Sequence, residues 1–280
     1  MTEQLQDVVD SLPGGSGATS TLPTITLIVP ALNEEQLITE TVGQIIDVVE
    51  GRFADYEVLL VNDGSTDATG ELMDCLAAGQ PRIRAFHNSR NMGLGSSYRL
   101  GVAEARHEYV MLLCGDGGMP ASSLPEIFSR ISATDIVIPY VRNLRQIKTP
   151  ARFVLSKTYT LLLNSLFGLR LRYYNGLAVH RTELVRALEI KSDGFGFQGE
   201  ILVKLLRVGC SFVQVGVDGA EKARRSSALR LSSIVSVTKT LLLLLWEVAR
   251  FDQRRVRAIM ERAPTRPTSA TTGPHGASIV

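Results

Sequence analysis

Ile25-Thr26-Leu27-Ile28-Val29-Pro30-Ala31-Leu32-Asn33-Glu34 and Val58-Leu59-Leu60-Val61-Asn62-Asp63-Gly64-Ser65 are the stretches that decide the fold. Each is a short apolar run that stops abruptly at a polar turn. After the first, Glu34 to Glu50 sets Leu37, Thr41, Ile45 and Val48 on one helical stripe. The second leads into a helical pattern from Asp67 to Ala78, and Ile83 to Phe86 follows as a third strand. A helix from Gly95 to Ala105 then precedes a fourth strand, Tyr109 to Cys114, which ends at Gly115-Asp116-Gly117-Gly118. Short apolar strands separated by helices predict an α/β chain with a mostly parallel sheet covered on both faces. Ligands of such sheets bind outside the carboxyl ends of the strands. Pro30 to Glu34, Asn62 to Ser65 and Gly115 to Gly118 are therefore expected to converge on one crevice.

Outward from this core the chain changes character. Residues 1–22 are rich in Gly, Ser and Thr and carry Glu3, Asp7 and Asp10 where an export signal needs Lys or Arg before an apolar run, so they read as a flexible leader. Residues 263–280 hold few large apolar side chains and read as a disordered tail. Between Arg142 and Arg172 stand Arg142, Arg145, Lys148, Arg152, Lys157, Arg170 and Arg172 with no acidic residue, interleaved with Phe153, Tyr159, Leu161, Leu166 and Phe167. That is a basic amphipathic stretch suited to a membrane surface. Leu231 to Trp246 is apolar but contains Lys239, and its 16 residues fall short of the roughly 20 that cross a bilayer. It reads as a helix lying on a membrane, with a buried structural helix as the alternative. Net charge is only +2, which gives no support to a nucleic-acid partner. Cys75, Cys114 and Cys210 lack the spacing of a disulfide framework or a zinc site, so a reducing cytosolic setting is expected.

In order along the chain, Ile28-Val-Pro30-Ala-Leu-Asn33-Glu34-Glu35, Val61-Asn62-Asp63-Gly64-Ser65-Thr66-Asp67, Asn91-Met-Gly93-Leu-Gly95 and Leu113-Cys-Gly-Asp116 form four spaced blocks. Together they resemble the successive signatures of family-two glycosyltransferases with a GT-A fold. Asn175-Gly176-Leu-Ala-Val-His-Arg181 and Gly194-Phe-Gly-Phe-Gln-Gly-Glu200 further resemble the dolichyl- or polyprenyl-phosphate sugar synthase branch. The resemblance implies a GT-A (Rossmann-like) domain over residues 23–230, while the apolar and basic pattern of residues 231–262 itself reads as amphipathic helices at a membrane interface.

It also implies roles. Pro30, Leu32, Glu34 and Asp63 would bind the nucleotide of a sugar donor, with Gly93 in a supporting turn. From the residues alone, Glu34 and Asp63 suit the donor groups of a base or ribose, while Glu34 and Glu35 also favour the first turn of a helix, and Ser65 and Asp67 suit helix caps. Asn62 departs from a first Asp common among such enzymes. The larger departure is Cys114-Gly115-Asp116 in place of Asp-x-Asp, since a protonated thiol is a poor ligand for Mg²⁺ or Mn²⁺. Asp116 alone is then the expected metal anchor, with water and diphosphate oxygens completing a weakly held site.

Arg152, Ser156 and Lys157 keep the Arg-x-x-x-Ser-Lys spacing of the family, and Lys222 and Arg224 approximate its Arg-x-Arg loop. Arginine forks match phosphate geometry. A lipid phosphate is already an oxyanion and needs no general base, whereas a hydroxyl acceptor does. Asp193 and Glu200 are the carboxylates available for that task, and Glu200 equally suits a sugar-contacting or helix-positioning place. His180, within an apolar run, reads as structural. The resulting expectation is a cytoplasmic, peripherally membrane-associated enzyme that moves a hexose, with inversion, from a nucleotide-diphosphate sugar to a polyprenyl phosphate. Asp116, Arg152 and Glu200 would carry the chemistry. Two other readings stay open: a transferase of the same fold acting on a saccharide, peptide or small-molecule hydroxyl, and a catalytically silent nucleotide-binding relative.

Overall fold

The computed structural model of the protein describes residues 22–194, 196–219, 246, 251 and 253–262. The leader to residue 21, the loop with Lys222 and Arg224, the apolar segment 231–245 and the tail from 263 lie outside them. In chain order the strands are β1 (Thr24–Ala31), β2 (Asp55–Asn62), β3 (Ile83–His87), β4 (Tyr109–Leu112), β5 (Ile136–Val141), β6 (Val179–Arg181) and β7 (Phe212–Val217). The main helices are α1 (Ile38–Val49), α2 (Thr69–Gly79), α3 (Leu94–Glu104), α4 (Leu124–Phe128), α5 (Leu144–Ile147), α6 (Pro150–Phe167), α7 (Thr182–Arg186), α8 (Phe197–Val208) and α9 (Arg254–Arg262).

The strands form a seven-stranded sheet in the order β3-β2-β1-β4-β6-β5-β7. β6 runs antiparallel to both its neighbours, β4 and β5, while the β1–β2, β1–β4, β2–β3 and β5–β7 pairs are parallel. Two reversals cancel, so β5 and β7 point the same way as β1, β2 and β4. Their carboxyl ends share one edge of the sheet. In the β1–β2 register Ala31 stands opposite Asn62, so both strands stop level with each other.

Side chains alternate across the sheet with a period of two. Ile28 and Val61 pack on one face with Tyr98 of α3, and Leu27, Val29 and Leu60 pack on the other with Ile38 and Val42 of α1. Because both faces are covered, Ile25, Leu27, Ile28 and Val29 are all fully buried, each worth roughly 1.5–3 kcal/mol of hydrophobic stabilisation. This is why the strands read as unbroken apolar runs.

The helix after β1 departs from the expected stripe. It begins at Ile38, and its buried face is Ile38, Val42, Ile45 and Val49, with Leu37 exposed. Residues 34–37 are a turn instead, in which the Glu34 carbonyl accepts the N–H groups of Leu37 and Ile38 at 3.0 and 2.9 Å. Strand β4 likewise closes at Leu112, and Leu113 and Gly115 continue beside β1 through N–H bonds to the carbonyls of Ile28 (2.8 Å) and Pro30 (3.0 Å).

Candidate functional site

The crevice at the strand ends is assembled by the backbone of β1. The Pro30 carbonyl accepts Gly115 N–H, and the Ala31 carbonyl accepts Asp63 N–H at 2.9 Å. Asp116 and Asp63 therefore flank the end of β1 on its two sides, with Leu32 exposed between them. The loops after β1 and β2 are stitched to each other. Asn33, at φ 57°, donates its N–H to the Ser65 hydroxyl and accepts Thr66 N–H on its own side chain. Glu34 N–H reaches the Thr69 hydroxyl at 2.8 Å, and the Glu35 carboxylate accepts Ala68 N–H at 3.0 Å. Asp67 accepts both the N–H and the hydroxyl of Thr69. Burial opposes ionisation of Asp67, but these bonds and one from Glu35 N–H bring its carboxyl below the usual range.

Asp63 is buried and holds three donors: Asn88 Nδ2 at 2.8 Å, Met92 N–H at 2.9 Å and Gly93 N–H at 2.9 Å. It thus pins the turn between β3 and α3 to the end of β2. Asn62, in the place of an expected acid, accepts Ser65 N–H at 2.9 Å and donates to His87 Nδ1 at 3.2 Å. Gly64 has φ 77°, and a Cβ there would overlap the backbone of Arg90, so only glycine lets the two loops close.

At the end of β4, one Asp116 oxygen accepts Gly118 N–H at 3.0 Å in a tight turn, with half-buried Cys114 two residues earlier. No group of three or more His, Cys, Asp and Glu side chains is arranged to hold a metal ion among the described residues. The donor set at this turn fits a hard cation only as a shared site, one protein carboxylate plus oxygens from elsewhere, as Mg²⁺ tolerates.

A second feature on the same edge lies at the end of β5. A cavity of about 420 Å³ is lined there by Tyr140, Arg142, Lys157, Leu161, Arg172 and Tyr173, among others. The Arg172 guanidinium stacks 4.7 Å from the Tyr140 ring and donates to its hydroxyl at 2.6 Å. Lys148 bridges Ser156 and the Tyr173 hydroxyl at 3.3 and 3.0 Å. Lys157 lines the cavity, whereas half-buried Arg152 sits on α6 outside its walls. Beside it, α6 exposes Val154 (61%), Leu161 (67%), Leu162 and Leu166, an apolar face on a helix with no acidic residue. None of the described helices is long and apolar enough to cross a membrane.

The structure brings Pro30, Leu32, Glu34, Asp63, Gly93 and Asp116 to the crevice and Lys157 to the cavity; Lys222 and Arg224 lie outside the described residues. Glu200 is in neither place. It is buried in α8 with its carboxylate on Lys204 and on two backbone N–H groups. Asp193 is ion-paired with Arg99. His180 is fully enclosed, with Nδ1 3.2 Å from the Tyr98 hydroxyl, and burial pushes its pKa down to about 3. Reading the sequence missed the tyrosine walls of the cavity and the Glu200–Lys204 pair. Only the latter left a signal, opposite charges at i and i+4 in a helix.

The sequence model of the family described as "Glycosyl transferase family 2" matches residues 26–187. An undecaprenyl-phosphate mannosyltransferase of Micrococcus luteus is 27% identical over 234 residues, 79% of this chain and 95% of that protein. A polyprenol monophosphomannose synthase of Mycolicibacterium smegmatis is 28% identical over 220 residues, 74% of this chain and 82% of that one. Among solved structures, glucosyl-3-phosphoglycerate synthase from Mycobacterium tuberculosis, in complex with Mn²⁺, uridine diphosphate and phosphoglyceric acid, has a TM-score of 0.60. At 22% identity, over 79% of this chain and 78% of that one, it establishes a common GT-A fold.

Proposed function

The chain belongs to glycosyl transferase family 2, and from that premise we propose that it moves a hexose, with inversion, from a nucleotide-diphosphate sugar to a polyprenyl phosphate at a membrane surface. The observation that carries this reading is the cavity at the end of β5, with Lys157 and Arg172 in its walls beside Arg142, which pairs with Glu126, and the exposed apolar face of α6 at its side. A basic pocket bordered by a lipid-compatible face matches a phosphate on an isoprenoid chain. β5 stands two strands from β4 in the sheet, a spacing of about 10 Å. A donor held at Pro30, Leu32, Glu34, Asp63 and Asp116 would present its sugar toward that cavity, with the Gly93 turn bordering the nucleotide.

In the transfer a phosphate oxygen of the acceptor attacks the anomeric carbon, the bond from that carbon to the diphosphate oxygen breaks, and the nucleotide diphosphate leaves with the electron pair. No proton has to be removed from the acceptor. This agrees with the state of Asp193 and Glu200, the carboxylates considered as bases, since both are engaged by cations of the protein. A hydroxyl acceptor needs a general base, and neither of these two carboxylates is free to serve as one. Asp116 is the residue that would hold Mg²⁺ or Mn²⁺, weakly, jointly with the diphosphate; such an ion offsets the charge of the leaving group. The relatives named for undecaprenyl and polyprenol phosphates support the acceptor class.

Replacing Arg172 and Lys157 together with alanine tests the reading. The double variant should raise KM for polyprenyl phosphate by about tenfold or more while nucleotide-diphosphate binding stays at the parent level, because two charge-assisted contacts to phosphate are lost. An unchanged acceptor KM sends the lipid phosphate elsewhere.

A further inference from the structure

Residues 189–193, between α7 and α8, are held by one buried ion pair. Glu200 and Lys204 lie one turn apart on α8, each 1% exposed, with Nζ 2.5 Å from the carboxylate. The Glu200 carboxylate also accepts Lys191 N–H at 3.1 Å and Ser192 N–H at 2.9 Å, and Lys204 donates to the Glu189 carbonyl at 2.6 Å. The two charges therefore grip opposite polar groups of the same short segment. Beyond Ser192 the segment meets the turn that opens α3. Gly95 N–H donates to the Asp193 carbonyl at 2.7 Å, and Arg99 bonds the carbonyls of Ile190 and Ser192 and pairs with the Asp193 carboxylate. The approach is so close that a Cβ on Gly95 would overlap the Ser192 carbonyl, and one on Gly93 would lie 2.8 Å from the Asp193 carbonyl. From its other side the turn is held by Asp63 through Met92 and Gly93.

We infer that the Glu200–Lys204 pair is a positioning device: it fixes the height of the 189–193 segment, and through it the Gly93–Gly95 turn, at the rim of the crevice. The inference rests on the reading that this turn borders the donor nucleotide. A buried pair of this kind gives little net stability, because two charges have lost their hydration, and a well-packed apolar pair commonly serves as well or better. What an apolar pair lacks is direction. It cannot hold N–H groups on one side and a carbonyl on the other, and so cannot set where the segment sits.

The test compares the parent with Glu200→Leu/Lys204→Met and with Glu200→Gln/Lys204→Met, whose glutamine keeps one acceptor for Ser192 N–H. Amide hydrogen exchange at Gly95 is read in the ligand-free protein, beside uridine- and guanosine-diphosphate affinity by calorimetry and the thermal midpoint. The expected result is faster exchange at Gly95 and nucleotide affinity weakened about tenfold in the leucine variant, with both partly restored by glutamine. Acceptor KM should not follow. Should the leucine variant fail to fold, the glutamine variant decides, since it too must exchange faster at Gly95 than the parent. Parental exchange at Gly95 in a folded variant overturns the inference and leaves the pair as packing alone. Faster exchange with a parent that binds neither nucleotide supports the device and refutes the donor-site reading instead.

Discussion

Asp63→Asn is the perturbation whose cost follows most directly from the geometry of the crevice. The buried carboxylate receives Asn88 Nδ2 and Met92 N–H on one oxygen and Gly93 N–H on the other. An asparagine has one acceptor oxygen. Its best orientation keeps the pair of donors and turns its NH₂ group toward Gly93 N–H, donor against donor. Gly93 N–H retains a second acceptor, Asn91 Oδ1 at 3.0 Å, so it is displaced and not stranded. One charge-assisted bond is lost and two weaken to neutral strength, a cost of roughly 1.5–3 kcal/mol. At 2–4 °C per kcal/mol for a domain of this size, Tm should fall by roughly 3–12 °C. Differential scanning calorimetry of parent and variant measures it, with nucleotide-diphosphate titration as the companion readout, expected to weaken as the Met92–Gly93 turn lifts. A Tm within about 1 °C of the parent would show that the carboxylate does not tie the turn, and the account of the crevice would fail with it.

Asp116→Asn should keep the fold, because the amide oxygen still accepts Gly118 N–H, yet lower turnover by about 10² or more through loss of charge at the leaving diphosphate; steady-state rates beside calorimetric stability separate the two. Cys114→Asp should tighten Mn²⁺ binding in the presence of nucleotide diphosphate by supplying a second carboxylate, which calorimetry reads directly. His180 is neutral when folded, with a pKa near 3 against about 6.5 when unfolded. The unfolded chain then binds the extra proton at low pH, so stability is full above about 6.5 and falls toward pH 3 by up to about 1.4 kcal/mol per pH unit; His180→Gln should flatten that slope in urea unfolding. Leu161→Glu/Leu162→Glu should reduce sedimentation with anionic liposomes while leaving Tm within about 2 °C, since both side chains already face water.

The alternation of β1, α1, β2 and α2 was legible because a strand buried on both faces writes itself as an apolar run ended by polar residues, and Val58 to Asp63 does so plainly. The convergence of three strand ends followed from topology. The phase of α1 did not, since Leu37 and Ile38 satisfy a helical stripe equally well and the choice depends on the turn that the Glu34 carbonyl makes. Asp63 stood out in the sequence as a candidate nucleotide-binding carboxylate but not as the tie of the Gly93 turn, which requires knowing that residues 88–93 return to the end of β2. Glu200 shows the same limit: its neighbours Lys191 and Ser192 are reached through backbone N–H groups, which carry no signature in sequence. The cavity at β5 joins residues from 140 to 173, including Leu144 of α5 and several of α6; Lys157 stood out through its spacing from Arg152 and Ser156, whereas Arg142 and Arg172 were legible only as part of a stretch without acids.

Transfer of a sugar to a lipid phosphate can be read directly in one incubation. The purified full chain is mixed with polyprenyl phosphate in vesicles, Mg²⁺ or Mn²⁺, and in turn each common uridine- and guanosine-diphosphate hexose, and the lipid fraction is read by mass spectrometry. The expected product is a polyprenyl phosphate heavier by one hexose with at least one donor, formed about 10²-fold more slowly or not at all with Asp116→Asn at equal protein. Glycosylation of an added saccharide or peptide hydroxyl with the lipid untouched, or nucleotide binding with no product from any donor, would contradict it.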